Sequence, residues 1–171
     1  MIDAGKLRVG IIRPTLTQLS DSTGRYMAGR NVEDLLVMIA AHESHFGKYR
    51  RQVGGGPARG IYQIEIPTHD DLFENYLEFR PEYKDAVLSF TGNDPRLDWQ
   101  LENNDRYATA AARLLLWRKP EAIPAPADFS KSPDPSGAYL LALAEYAKKH
   151  WNTEGGAATP EKYLEDYLRL T

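Results

Sequence analysis

The sequence predicts a mainly helical domain with one short strand or hairpin. Three observations carry that expectation. Apolar residues recur at helical spacing across two long segments, one short segment alternates with a period of two, and Gly- and Pro-rich stretches separate them. At 171 residues the chain suits one domain spanning 1–171, since domains usually run to ~100–200 residues. With 42% apolar, 26% charged and 11% aromatic residues, its composition is that of an ordinary globular protein.

Asn31 is the expected N-cap of the first clear helix, with Glu33 and Asp34 in its first turn, where the helix dipole favours negative charge. Val32, Leu35, Leu36, Ile39 and Ala40 then recur at helical spacing, and Gly47 supplies the stop. A Gly-rich loop follows. "GIYQIEI", residues 60–66, alternates as a strand should, with Ile61, Gln63 and Glu65 on one side and Tyr62, Ile64 and Ile66 on the other; Pro67 ends it. Thr68 reads as the cap of the next helix, so 69–79 and 81–90 are expected to be helical and "TGNDP" to turn. The longest helix is predicted from Leu97 to Arg118, with Asn104 the one polar member of its apolar stripe. Residues 119–136 hold five prolines and predict an extended surface loop. Two helices close the chain, Ala138 to Trp151 and one begun by the Thr159–Pro160 pair.

Charge and composition exclude several function classes. A net charge of -3 gives no general electrostatic reason to bind nucleic acid or an anionic membrane. The local basic cluster is Lys48, Arg50, Arg51 and Arg59. Without cysteine the chain has no disulfide and no thiolate metal site, which fits synthesis in a reducing cytoplasm. The first thirty residues lack the apolar core of a secretory signal, and no segment approaches the ~20 apolar residues of a membrane span. His42 and His45 are three apart, not the four that a zinc-protease helix needs, so both are read as loop or surface residues and no metal is expected. "GGGPARG" lacks the Lys-Ser/Thr ending of a phosphate loop. No cofactor is implied.

The candidate chemistry lies in "AHESHFGKYRRQVGGGPARGIYQIE", residues 41–65. Glu43 stands seven residues after Leu36 and four after Ile39, on the apolar face of its helix. Burial and the negative helix end both disfavour its ionised form, which predicts a raised pKa and a proton available for a leaving-group oxygen. The alternative is a structural glutamate paired with Arg50, Arg51 or Arg59. Gln63 offers a donor and an acceptor to a sugar and Glu65 can hold a water, unless both merely face solvent. The tyrosines over 62–83 either line a groove or pack the core.

"ESHFG", "GIYQIE" and "THDD" together resemble the goose-type lysozymes and soluble lytic transglycosylases, whose signature is Glu-Ser at a helix end followed by a Gly-Leu-Met-Gln strand. "NNDRYATAAARLL" is similar to the helix packed behind the site in that superfamily, and "EYAKKHWNTEGG" to its Tyr-Asn-Ala-Gly motif. The four segments span about 32–168 in the family order. The longer "RQVGGGPARGIYQIE" pattern also resembles proteins encoded by tailed bacteriophages. The resemblance implies an α+β lysozyme-like fold and cleavage of peptidoglycan strands between N-acetylmuramic acid and N-acetylglucosamine. Carried over by position, it makes Glu43 the catalytic acid, Ser44 its neighbour, and Gly60, Tyr62 and Gln63 the segment bordering the sugar. Glu65 falls where goose-type lysozymes hold an aspartate that positions water. Asn152 matches the asparagine of the fourth motif, Trp151 replaces its tyrosine, and Tyr146 is the candidate for the missing hydroxyl. The rival is a phage virion or tail protein that keeps the fold for assembly or glycan binding. Either way the protein is expected to be made in a host cytoplasm and delivered to the wall by lysis or virion entry.

Overall fold

The computed structural model describes residues 1–152 and 156–171, and helices occupy 65% of it against 3% strand, a mainly α architecture. Residues 153–155, within the segment compared with the fourth motif, lie outside the described residues. Asp3 caps α1 (Ala4–Leu7), which continues through a π-helical stretch, Arg8–Ile12, into α2 (Arg13–Thr23). The sequence reading passed over these helices. A π turn bonds i to i+5, so Arg8 and Arg13, five apart, reach the same side. There they meet Glu33 and Asp34: Arg13 forks onto Glu33 at 2.8 Å through both nitrogens, and Arg8 lies 2.6 Å from Asp34. The Tyr139 hydroxyl donates to Asp34 at 2.9 Å.

Those acids open α3 (Arg30–Ser44), the central helix, buried at every position from Val32 to Ala41. Its N-cap is Gly29, not Asn31; Asn31 is the second residue of the helix and donates to the Ile123 carbonyl, pinning the proline-rich loop. Its end comes at Ser44, two residues earlier than a Gly47 stop would put it, because His45 adopts a left-handed conformation (φ 48°).

The predicted strand shrinks to a two-residue ladder. β1 (Ala58–Arg59) pairs antiparallel with β2 (Ile64–Glu65), Ala58 opposite Glu65. Residues 60–63 instead form the turn between them, with Gly60 and Gln63 at positive φ. The alternation read from Ile61 to Ile66 is therefore not a strand pattern. Pro67 sits in the first turn of α4 (Ile66–Asn75), where its missing N–H costs nothing, and Glu65 rather than Thr68 precedes the helix.

α5 (Pro81–Leu88) follows a short 3-10 turn. The long helix expected over 97–118 divides at Asn104 into α6 (Leu97–Asn103) and α7 (Asp105–Trp117). Asn104 is extended; its side chain accepts from the Tyr107 N–H and donates to Phe90 and Gln100, so the polar residue in the stripe is a cap. After the proline-rich loop, α8 (Pro135–His150) is capped by Asp134, and α9 (Pro160–Leu170) by Thr159. Helix α9 packs along α3 and α8, placing the C-terminal helix beside Glu43. Among the described residues no helix is long and apolar enough to cross a membrane.

Asn104→Ala removes the α7 cap and two further hydrogen bonds. The expected loss is roughly 1–3 kcal/mol in urea unfolding with helix content retained; an unchanged midpoint would show that the break is set elsewhere.

Candidate active site

The chain makes an unusual bend directly after Glu43. His45, Phe46 and Gly47 are consecutive left-handed residues, with φ of 48°, 56° and 78°. Left-handed conformations in non-glycine residues carry strain and persist only where surrounding structure enforces them. Here the enforcement is visible. Ser44 is fully buried; its hydroxyl donates to the Ile61 carbonyl at 2.6 Å and accepts from the Gly47 N–H at 2.8 Å. Phe46 accepts at its carbonyl from the Ile2 N–H. Ser44 thus ties the end of α3 to the 60–63 turn, and its burial removes it from the expected substrate contacts.

The basic cluster serves the same scaffold. Arg50 forks onto Asp105 at 2.7 and 2.9 Å and also donates to the Glu102 carbonyl, while Arg51 forks onto the Glu102 carboxylate. Arg59 lies 4.0 Å from the same carboxylate. These pairings clamp the Gly-rich loop to α6 and α7 and leave none of the three arginines on Glu43. Gly60 is placed by contact: a Cβ there would stand 1.9 Å from the Leu101 carbonyl oxygen, at φ 76°. Gly60 and Tyr62 are buried; the Tyr62 hydroxyl lies 2.9 Å from that of Thr109, its carbonyl accepts from the Trp151 indole, and burial raises its pKa. Both shape the turn from behind instead of bordering a ligand.

In front of the turn is a cleft of about 170 Å³, lined by Glu43, Gln63, Glu65, Thr68, Leu115, Arg118, Lys119, His150, Trp151 and Asn152. It brings together both candidate carboxylates, Gln63 and Asn152. Gln63 is held by two hydrogen bonds from its amide nitrogen, to the Tyr49 and Gly60 carbonyls. Asn152 accepts from Lys148 at 3.0 Å. Tyr146 is not here. Its hydroxyl donates to the Glu121 carbonyl and its ring lines a different groove, because a residue five before Trp151 on α8 is turned roughly 140° round the helix.

The hydroxyl at the acid comes from α9. Tyr163, fully buried, donates to Glu43 Oε1 at 2.7 Å across 120 positions of sequence, and the Asn152 side chain also hydrogen-bonds it. The His42 ring lies on the Tyr163 ring at 4.0 Å between centroids, and its Nδ1 is 2.8 Å from Asp166 Oδ2. His42 is thus part of the α3–α9 contact, not a loop or surface residue. Sequence reasoning missed Tyr163 and Asp166 because nothing local distinguishes them from other residues of an amphipathic terminal helix. The only available signal was that Glu43 on an apolar face needs a polar partner from some other element.

Burial raises the pKa of Glu43; the Tyr163 hydrogen bond and the nearby His42 work against the shift, and the Glu65 charge adds to it. Burial, then the Glu43 charge, push the Tyr163 phenol upward, so it remains a donor. Burial opposes ionisation of Asp166, yet Arg169 and His42 together hold its pKa below the ordinary value. The arrangement offers a carboxyl at the cleft wall whose ionisation burial disfavours, a phenol that can stabilise the carboxylate left after proton transfer, and an exposed second carboxylate on β2. No group of three His, Cys, Asp or Glu among the described residues is placed to hold a metal. Compared with protein-family models, curated proteins and solved structures, the chain finds no match in any of the three.

A carboxylate whose pKa is raised in the fold favours the native state less as it ionises. Native stability should therefore fall as pH rises from about the ordinary value of 4.5 through the Glu43 titration. Glu43→Gln lacks that loss, so its Tm should match wild type at low pH and exceed it at pH 7–8; a lower Tm at both would refute the buried-acid assignment. In Tyr163→Phe the carboxylate loses its donor, and NMR titration of the Glu43 carboxyl should give a pKa higher than in wild type. An unchanged or lower value would show that the phenol does not tune it.

Proposed function

We propose that the protein cleaves the β-1,4 bond between N-acetylmuramic acid and N-acetylglucosamine in bacterial peptidoglycan, with Glu43 as general acid. The observation that supports it most is the state of Glu43: a carboxyl without an arginine or lysine ion pair among the described residues, half-buried in a cleft, its pKa raised by burial, and held by a phenol that cannot protonate it. A structural glutamate of similar burial would be expected to sit on a cation, and the three nearby arginines are engaged by Glu102 and Asp105 instead.

In this reading the glycosidic oxygen takes the Glu43 proton as its bond to the muramic carbon breaks, and positive charge develops on that sugar. The Glu43 carboxylate left behind keeps its hydrogen bond from Tyr163. Glu65 then accepts a proton from a water that adds to the same carbon, giving a reducing end with inversion. The competing outcome uses no water: the Glu43 carboxylate takes the proton of the sugar's own 6-hydroxyl, giving a 1,6-anhydro end. The presence of Glu65 in the cleft favours hydrolysis. The setting that fits the sequence is the lysis or virion-entry equipment of a tailed bacteriophage. A non-catalytic virion or glycan-binding role would be favoured by an apolar patch around the tryptophans. Trp117 and Trp151 are half-buried, and Trp99, though 46% exposed, lies under the Arg96 guanidinium at 4.9 Å.

Mass analysis of soluble products from purified peptidoglycan tests the proposal. Muropeptides should appear with wild type and fall about 10²–10⁴-fold in Glu43→Gln. A product mass including one water marks hydrolysis, and its absence the anhydro route. No release from several wall types would overturn the enzymatic reading.

A further inference from the structure

Behind the cleft is a second groove, of about 410 Å³, whose lining includes Tyr26, Asn31, Arg113, Trp117, Lys119 and Ile123. Its base is a guanidinium in an unusual state. Arg113 is only 5% exposed, yet no carboxylate among the described residues pairs with it. Its Nε donates to the Met27 carbonyl at 2.7 Å, and its guanidinium carbon lies 4.8 Å from the centre of the Trp117 ring. The two terminal nitrogens meet no acceptor among the described residues, and neither is sealed from solvent, so they open to the groove. Buried charges are ordinarily paired, because removing a cation from water without a counter-charge is costly. Burial accordingly lowers the Arg113 pKa to about 10.

We propose that this groove is a binding site for a carboxylate, which would take both free Arg113 nitrogens as a planar fork while the rest of the ligand lies along Trp117 and Tyr26. A guanidinium already anchored at Nε and stacked on an indole presents two parallel N–H donors at fixed spacing, the geometry that recognises a carboxylate. The aromatic lining suits an acylated amino acid or peptide end better than a bare ion. Glu121 also lines the groove, but its carboxylate is engaged by Lys149 at 2.5 Å and by His150 at 2.9 Å, which removes most of its repulsion. Lys119 lines both this groove and the Glu43 cleft, so the two sites flank one short segment. The carboxylate preference stands on Arg113 alone. Naming the peptide stem of a wall strand as its source rests on the proposed function.

The test is an NMR titration of wild-type protein, following the Arg113 Nε–H and Trp117 indole N–H signals, with N-acetyl-alanyl-alanine and with its C-terminal amide. The free acid should shift both signals saturably and bind at least about tenfold more tightly than the amide. Equal shifts with acid and amide, or none with either, would overturn the site. Arg113→Lys keeps the charge but loses the fork and should bind the acid about tenfold more weakly; the acid-against-amide comparison needs no variant, so it decides even if that substitution unfolds the chain. The two proposals fail separately. Acid-selective binding without peptidoglycan cleavage sinks the glycosidase alone, and cleavage without acid-selective binding sinks the groove alone. Equal cleavage rates on glycan strands with and without their peptides would remove the wall peptide as the source.

Discussion

A helix buried along its whole middle has nowhere to hide a charge, and that constraint on α3 organises the rest of the molecule. From Val32 to Ala41 every position is inside, including Glu33 and Asp34. Two carboxylates in such a place need counter-charges, since an unpaired buried charge can cost several kcal/mol. The N-terminal helices supply them through Arg8 and Arg13, with Tyr139 of α8 adding a hydrogen bond. The fold thus closes around the N-terminal end of α3 by electrostatic necessity. At the other end the solution differs. Glu43 meets a phenol instead of a cation; burial raises its pKa and the phenol hydrogen bond offsets that only in part.

The cleft is built by separating scaffold from chemistry. Ser44, Gly60 and Tyr62 sit directly beside the acid in sequence or in the turn, yet all three face inward and fix backbone. The polar side chains that reach the cleft come from further apart: Gln63 and Glu65 from the turn and β2, Arg118 and Lys119 from beyond α7, and His150 and Asn152 from the end of α8. The strain held in the left-handed His45 and Phe46 is tolerable because hydrogen bonds with the Ser44 hydroxyl and the Ile2 N–H lock the bend from both sides. A bend so constrained keeps the Glu43 carboxyl in one place, which is what a positioned acid requires.

Helix α9 has an effect out of proportion to its length. It brings Tyr163 to Glu43 and Asp166 to His42, and its apolar face covers α3. Thr159 and Pro160 fix where it begins, so the reach of Tyr163 depends on a cap four residues earlier.

By itself, the sequence determined the helical class, the start of α9, the proline-rich loop and the placing of Glu43 on an apolar face, because periodicity and capping are local and survive in any surroundings. It misplaced what depends on competition between neighbours. Asn31 had every local reason to cap α3, but Ile123 offered its amide a partner and Gly29 took the cap. Asn104 looked like a flaw in one long helix, and became the junction of two when Phe90 and Gln100 accepted its amide. "GIYQIE" alternates like a strand, but Gly60 against the Leu101 carbonyl bends it into a turn. Only the tertiary structure decided which arginines neutralise which acids and that Tyr163, not Tyr146, meets Glu43. Those contacts join residues from 20 positions apart, as Arg13 and Glu33, to 120, as Glu43 and Tyr163, and no local pattern encodes a distance that packing alone creates.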